Sequence, residues 1–383
     1  MAKIRGFRCV RCRAEFLEWS PWGCVLCKRR RTPANLEVCY EDDGAVPNWL
    51  AQEVRAQEDR APGVPIAACT GVWRFQERLP EHAGQRLVTL DEGGTPLVEL
   101  ANLGATQGVG RLWLKDESRN PTGSWKDRGM AVTATVAREM GASVVAGASS
   151  GNAGVSLAAY AARAGLKAQI VMTAPRSEVF VAMLKCFGAE LTVVAGREER
   201  FEKLQRGIRE HGWFPATNWA ADAVGSNCFA GEGYKTIAFE IAMQLGWRCP
   251  SHVIVPVSYG DGACGIQRGF AELVAFGVLQ RLPKLVLARA ATSSTIAFSL
   301  GRPVLTAQLQ ALLKHDNVTR LDIADESMLR MQARLGQQEG VFLETSSSAA
   351  LCALEKLDNS TLEEVVVVGT ATGMKDPRTV LEK

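Results

Sequence analysis

An α/β fold built on parallel sheet, with a small cysteine-bearing module at the N-terminal side, is the fold class this sequence predicts. Three observations carry that expectation. Six short apolar runs alternate with Ala-rich or mixed stretches of helical length. The runs are unbroken in their hydrophobicity, the pattern of strands covered on both faces, as in a parallel sheet. Two Cys-x-x-Cys pairs fall within residues 7–40, whose composition differs from the rest. The whole is globular in composition, with 383 residues, 47% hydrophobic and 22% charged, enough for two or three domains.

Residues 1–40 read as the first unit. Cys9-Val10-Arg11-Cys12 and Cys24-Val25-Leu26-Cys27 each offer two thiolates, and four thiolates satisfy a tetrahedral Zn²⁺. A site closed by four protein ligands is structural, not catalytic. Being remote in sequence from the other motifs, it is expected to leave a cofactor site intact when it is removed. The basic run Lys28-Arg29-Arg30-Arg31 reads as a solvated ribbon loop. A net charge of +3 calls for neither a nucleic-acid nor a membrane partner. Cys39 lies outside both pairs and reads as a small apolar residue. Residues 41–90 read as an extension or linker. The stretch 53–60 is polar with both signs of charge, Gly71-Val72-Trp73-Arg74-Phe75 has no clear period, and 87–90 reads as a short strand ended by Asp91.

From residue 91 a βα rhythm begins. Strands are expected over 143–148, 168–173, 190–195, 251–257, 284–290 and 364–368, and helices over 125–140, 152–164, 178–188, 232–245 and 267–276. Ligands on such sheets bind where strands end and helices begin. No apolar run approaches the ~18 residues of a membrane span. Residues 1–9 carry no hydrophobic signal core, and the eleven cysteines suit metal ligation and reduced thiols, so a cytoplasmic location is expected.

Chemistry concentrates in one turn and three strand ends. In Asn120-Pro121-Thr122-Gly123-Ser124-Trp125-Lys126-Asp127-Arg128-Gly129-Met130, Lys126 follows a Pro/Gly turn at the expected start of a helix. The positive end of a helix dipole disfavours an ammonium, and a lysine that works as an amine needs such a lowered pKa. A lysine without that setting would read as a solvated surface charge. Ala148-Ser149-Ser150-Gly151-Asn152-Ala153-Gly154 exposes backbone N–H groups suited to a carboxylate, and Asn152 is placed to donate to a phenolic oxygen. The competing reading is a Ser/Asn helix cap. Val257-Ser258-Tyr259-Gly260-Asp261-Gly262-Ala263-Cys264-Gly265 suits a phosphate cradle of backbone amides, with the Asp261 side chain expected to turn away or cap the helix. It is neither a Walker loop nor a dinucleotide fingerprint. Val368-Gly369-Thr370-Ala371-Thr372-Gly373 offers a hydroxyl to a pyridine nitrogen, against the plainer reading of a Gly-rich turn. A lysine for an aldehyde, an asparagine for a ring hydroxyl, a glycine loop for a phosphate and a threonine for a ring nitrogen fit one cofactor, pyridoxal 5'-phosphate.

The chain resembles threonine synthase and its relatives, the pyridoxal-phosphate enzymes of the tryptophan-synthase-β type (fold type II). The resemblance is carried by the Lys126 segment, by Glu92-Gly93-Gly94-Thr95-Pro96-Leu97, by Gly231-Glu232-Gly233-Tyr234-Lys235-Thr236 and by Gly340-Val341-Phe342-Leu343-Glu344. The cysteine pairs resemble the zinc ribbon found on some members. The resemblance implies two doubly wound α/β domains around a cofactor cleft. Residues 91–135 and 233–383 would form the large cofactor-binding domain and 136–232 the small one. It implies that Lys126 carries the cofactor and acts as catalytic base, and that Asn152 meets the ring hydroxyl. Ser258, Tyr259, Gly260, Asp261 and Gly262 would hold the phosphate, and Thr370 the pyridine nitrogen. Ser149, Ser150, Gly151 and Asn152 would clamp the carboxylate of a small amino acid, phosphorylated or not. The implied chemistry is β- or γ-elimination or replacement, with threonine synthase as the leading activity. Serine/threonine dehydratase, diaminopropionate lyase and cysteate-synthase-like chemistry are the alternatives. A zinc-ribbon binding protein with an inactive enzyme fold is the reading from another class. No membrane or nucleic-acid partner is implied, and a homodimer is an open expectation.

Four positions depart from the family pattern. Trp125 stands where Phe is usual, the phosphate loop is Ser-Tyr-Gly-Asp-Gly, and Thr345 replaces a Pro after Glu344. Members that bind O-phosphohomoserine tend to carry an Arg just before Glu-Gly-x-Lys-Thr, where this chain has Cys228-Phe229-Ala230-Gly231. A phosphate needs charged, bidentate partners. The departure predicts that Phe229 and Ala230 line a less polar leaving-group pocket, with Lys115 or Arg128 as the residues to replace the missing cation.

Overall fold

A computed structural model describes residues 3–41, 46–58, 71–80, 87–174, 177–221, 224–301 and 305–377. The chain opens with β1 (Ile4–Cys9), β2 (Glu15–Phe16), α1 (Val25–Arg29) and β3 (Leu36–Tyr40), whose strands pair antiparallel in the order β2-β1-β3. Then come α2 (Asn48–Glu58) and a 3₁₀ turn over Val72–Arg78 that buries Val72, Trp73 and Phe75. The polar stretch 53–60 is therefore helical as far as Glu58, and its last two residues lie outside the described ones.

Two further sheets follow. β4 (Leu97–Glu99) and β5 (Arg111–Asp116) belong to the larger one. β6 (Val144–Gly147), β7 (Lys167–Met172), β8 (Glu190–Val193) and β9 (Phe214–Pro215) form a smaller, all-parallel sheet ordered β8-β7-β6-β9. β10 (His252–Pro256), β11 (Lys284–Ala290), β12 (Val318–Ile323) and β13 (Glu364–Gly369) complete the larger sheet, ordered β12-β11-β10-β13-β5-β4. All its pairs are parallel except β4 on the edge, which runs antiparallel to β5. The helices between are α3 (Ala101–Gln107), α4 (Lys126–Glu139), α5 (Asn152–Ala164), α6 (Glu178–Cys186), α7 (Arg197–His211), α8 (Cys228–Gln244), α9 (Asp261–Ala275), α10 (Ala307–Leu312), α11 (Asp325–Glu339) and α12 (Thr345–Cys352). This is the expected two-sheet α/β class.

The central apolar runs became strands covered on both faces. β10, with burial of every residue from His252 to Pro256, is the clearest case. α8 is buried on nearly all sides, a helix with almost no solvent face, and it packs against both α4 and α9. It begins at Cys228, four residues before the expected start, because the Asn227 side chain accepts from Ala230 N at 3.1 Å and caps the earlier turn. The strand expected over 87–90 does not form. Val88 N donates to Thr135 Oγ1 (3.1 Å) and Val88 O accepts from Trp73 Nε1 (3.0 Å), so side chains take the ladder groups.

The N-terminal sheet is docked on the body by aromatic contacts. Phe7 meets Phe229 edge-on at 5.9 Å, Trp19 stacks on Phe214 at 4.6 Å, and Trp22 meets Trp219 at 5.2 Å. Tyr40 donates to the buried Glu232 at 2.7 Å. Among the described residues no helix is long and apolar enough to cross a membrane.

Candidate active site

The turn before α4 is fixed from three sides. Gly123 has φ of +75°, which glycine adopts without a Cβ penalty, and its N–H reaches Asn120 O at 2.7 Å. Asp127 folds back to accept from Thr122 N (2.7 Å) and Thr122 Oγ1 (2.6 Å). Trp125 N donates to Thr370 O at 2.9 Å, tying the turn to the segment after β13. Lys126 is thereby the first residue of α4, with Nζ 5.2 Å from the Trp125 ring centre and 5.4 Å from that of Tyr234. Burial pushes its amine below the usual lysine value, and the Asp261 and Glu344 carboxylates pull the other way.

Lys126 opens onto a cavity of about 160 Å³, whose wall includes Ser149 to Asn152, Ser258 to Gly262, Glu344 and Thr370. The fold thus brings together every residue expected to hold cofactor or substrate. Each stretch sits at the carboxyl end of a parallel strand. Gly151 caps α5 after β6, and Ala148 N is held by Thr217 Oγ1 at 2.8 Å. After β10, Gly260 at φ +92° turns the chain so that α9 starts at Asp261. The first amides of that helix have no intrahelical acceptor, and with the dipole they favour an anion. The Asp261 carboxylate is engaged elsewhere. It accepts from Ser226 N at 3.1 and 3.2 Å and from the Gln308 amide. Trp125 packs on this loop, because a Cβ on Gly262 would stand 2.3 Å from its ring. After β13, Thr370 Oγ1 pairs with Ser347 Oγ at 2.8 Å.

The residues fit pyridoxal phosphate on an internal observation. Asn152 donates through Nδ2 to Glu344 Oε2 at 2.9 Å, while its Oδ1 is buried with no hydrogen-bond partner. A buried polar atom at a cavity wall is costly unless something meets it, and a ring hydroxyl placed there would. A helix N-terminus for the phosphate and a hydroxyl pair for the ring nitrogen complete the set.

Two expectations are corrected. Phe229 and Ala230 are buried in the core and are not part of the cavity wall; Phe229 is held by Phe7 and Trp19. Lys115 and Arg128 are fully buried in an ion-pair network. Lys115 bonds Glu240 (2.6 Å), and Arg128 bonds Glu117 (2.7 Å) and Glu240 (2.7 Å), so neither reaches the cavity. Wall residues that escaped sequence reasoning include Arg200, Phe298 and Ser299. Arg200 lies in the charge-rich Arg197-Glu198-Glu199-Arg200 run, which reads as a solvated face, and no local signal marks the other two. Glu344 was visible only as part of a signature.

Away from this cavity, Cys9, Cys12, Cys24 and Cys27 bring their sulfurs within 4.8 Å of one another. Cys9 Sγ lies 3.8 Å from Cys27 Sγ and Cys12 Sγ 3.6 Å from Cys24 Sγ, and all four thiols are free. Backbone N–H groups of Arg11 and Cys12 point at Cys9 Sγ, and that of Cys27 at Cys24 Sγ.

A lysine at a helix start, facing a helix N-terminus, an amide and a hydroxyl across one cavity, defines the class of site. The chain belongs to the pyridoxal-phosphate dependent enzyme family, whose profile matches residues 88–373. Threonine synthases are among its relatives. That of Methanocaldococcus jannaschii is 33% identical over 371 residues, covering 89% of this chain and 87% of its own. That of Methanosarcina acetivorans is 31% identical over 82% of each chain. In fold the chain is similar to maize serine racemase (TM-score 0.63, 19% identity, 75% of this chain and 91% of that one). It is also similar to a pyridoxal 5'-phosphate-dependent aspartate racemase (TM-score 0.64, 18% identity, 74% and 92%).

Proposed function

We propose that the protein is a threonine synthase-like lyase that converts a small amino acid by β- or γ-elimination or replacement. The observation that supports this most is the convergence of Lys126, Asn152, the Ser258–Gly262 loop and Thr370 on one cavity. Pyridoxal phosphate, when bound, supplies the electron sink. Lys126 would hold its aldehyde carbon, and the amine set free by substrate would take the proton from the substrate Cα. Burial keeps that amine below the ordinary lysine range, so more of it is neutral and basic near pH 7. The backbone amides at the start of α5, with Ser149 and Ser150, would hold the substrate carboxylate. A hydroxyl at Thr370, unlike a carboxylate, does not enforce a protonated ring nitrogen, which suits elimination.

The ribbon would hold one structural zinc. Four sulfurs about 2.3 Å from a common centre stand about 3.8 Å apart at the corners of a tetrahedron, close to the 3.8 and 3.6 Å found here. Reduced thiolates of this kind suit the cytoplasm.

The test is chemical. Purified protein should absorb near the visible edge, and Lys126→Ala should lose that band. Borohydride reduction followed by peptide mapping should place the cofactor on Lys126. Cofactor on a different lysine, or none, would sink the reading.

A further inference from the structure

We propose that Glu344 is a positioning residue for the cofactor. Acting through Asn152, it decides whether the ring hydroxyl meets a hydrogen-bond acceptor or a donor, and so where the proton of that hydroxyl resides. The proposal rests on the pyridoxal-phosphate reading of the cavity and adds to it a residue that works through another.

Glu344 stands just before α12 and Asn152 is the first residue of α5, so the contact between them joins two distant parts of the chain. Both are in the cavity wall, and both are buried, at 5% and 7% exposure. Asn152 Nδ2 donates to Glu344 Oε2 at 2.9 Å, and Ser299 Oγ donates to Glu344 Oε1 at 3.4 Å. An ionised carboxylate can only accept. In that form Glu344 holds the amide with Nδ2 toward itself and leaves Oδ1, buried and without a partner, to meet the ring hydroxyl. Oδ1 is an acceptor, so Asn152 then keeps the proton on the ring oxygen. A protonated Glu344 can donate. Its O–H suits Asn152 Oδ1, the amide turns over, and Nδ2 is presented to the ring oxygen, where a donor favours the ionised form. The proton then rests on the nitrogen of Lys126 that holds the cofactor. No proton is gained or lost in this exchange beyond the one on Glu344.

The surroundings keep both forms within reach. Burial raises the Glu344 carboxyl above the usual range, while Lys375, the bonds from Asn152 and Ser299, and Lys126 pull it down. Lys375 lies after β13, donates to Thr122 O at 2.8 Å, and has its own amine lowered by burial to about 8. Lys126 at the start of α4 faces Asp261 of α9 as well as Glu344.

The experiment records absorption against pH for the holoenzymes of wild type, Glu344→Gln and Lys375→Met, over the range in which each stays folded. Total cofactor is measured after denaturation in alkali. A protonated ring oxygen absorbs in the near ultraviolet, and an ionised one beside a protonated nitrogen absorbs toward the visible. In wild type the visible-to-ultraviolet ratio should fall roughly ten- to hundredfold as pH rises through the Glu344 titration, the effect of one hydrogen bond to a charged group. Glu344→Gln is uncharged at every pH and able to donate to Oδ1, so it should lose this transition and keep the visible form. Lys375→Met removes a cation that favours the carboxylate, so its transition should move to higher pH. Identical profiles in wild type and Glu344→Gln at equal cofactor content, or an unmoved transition in Lys375→Met, would overturn this proposal and leave the cofactor reading standing. A wild type that holds no cofactor would overturn both.

Discussion

Burial acts on Lys126 and on Glu92 with opposite consequences, since it disfavours whichever form is charged. In Lys126 it favours the neutral amine. Glu92, fully buried, accepts from Tyr160 Oη at 2.7 Å and Leu90 N at 3.0 Å, and burial pushes its carboxyl from 4.5 up to about 7. An acid whose folded pKa exceeds its unfolded one stabilises the fold fully below the unfolded value. That contribution is lost as pH rises through the folded one. The window is therefore about pH 4.5 to 7, and at about 1.4 kcal/mol per unit the loss is on the order of 3 kcal/mol. Glu92→Gln stays neutral throughout. Its urea-unfolding free energy should decline less than that of wild type between pH 4.5 and 7, and parallel curves would show that Glu92 titrates normally. At this scale the sequence was legible where a residue's setting is local, as with Lys126 after its Pro/Gly turn. Arg200 and the Ser347–Thr370 hydroxyl pair were not, because their meaning depends on which chain segment lies opposite.

Helix α4 and strand β5 are joined by charges that apolar patterning hides. Lys115 on β5, Arg128 on α4 and Glu240 on α8 are all at most 1% exposed and mutually bonded, with Glu117 completing the set. Burial alone would raise the Glu240 carboxyl, but Arg128 and Lys115 outweigh it and hold it below the usual carboxylate range. Arg128→Met would leave Glu117 and Glu240 facing each other with Lys115 alone. Breaking a buried pair of this kind costs about 3–5 kcal/mol, so the variant should unfold at clearly lower denaturant. Separating the exposed Arg330 and Glu326, 3.7 Å apart, should move the midpoint far less. Equal effects would mean the network is not carrying the helix. The same charges explain why β5 was missed. Arg111, Lys115 and Asp116 interrupt its apolar character, whereas β10 and β13 read as unbroken runs. α7 was missed for a related reason: only Phe201, Leu204 and Ile208 mark its buried stripe in a helix otherwise crowded with charge.

At the scale of the whole molecule, distance along the chain proved a poor guide to distance in space. The N-terminal cysteine module lies far from the Ser258–Gly262 loop in sequence, yet two side chains connect them. Asn35 Nδ2 donates to Gln308 Oε1 (3.3 Å) and to Ser226 O (2.5 Å). Gln308 Nε2 in turn donates to Tyr259 O (3.2 Å) and to Asp261, inside the loop that begins α9. Thr306 Oγ1 holds the same Tyr259 carbonyl at 2.6 Å. The backbone of the Ser258–Gly262 loop is therefore braced from behind, through Gln308, by Asn35 of the N-terminal module. The expectation that loss of the ribbon's metal leaves the cofactor site largely intact rests on remoteness in sequence, and this contact is one that remoteness does not reveal. Each neutral hydrogen bond of this chain contributes about 0.5–1.5 kcal/mol, so Asn35→Ala should weaken cofactor binding roughly two- to tenfold while Lys126 still captures it. Equilibrium dialysis of the cofactor from wild type, Asn35→Ala, Gln308→Ala and the double variant measures this. If the brace is real, the two single losses will not add, because each breaks the same connection. Additive losses, or none from Asn35→Ala, would mean that the ribbon merely rests on the catalytic body and that the loop's geometry belongs to β10 and α9 alone.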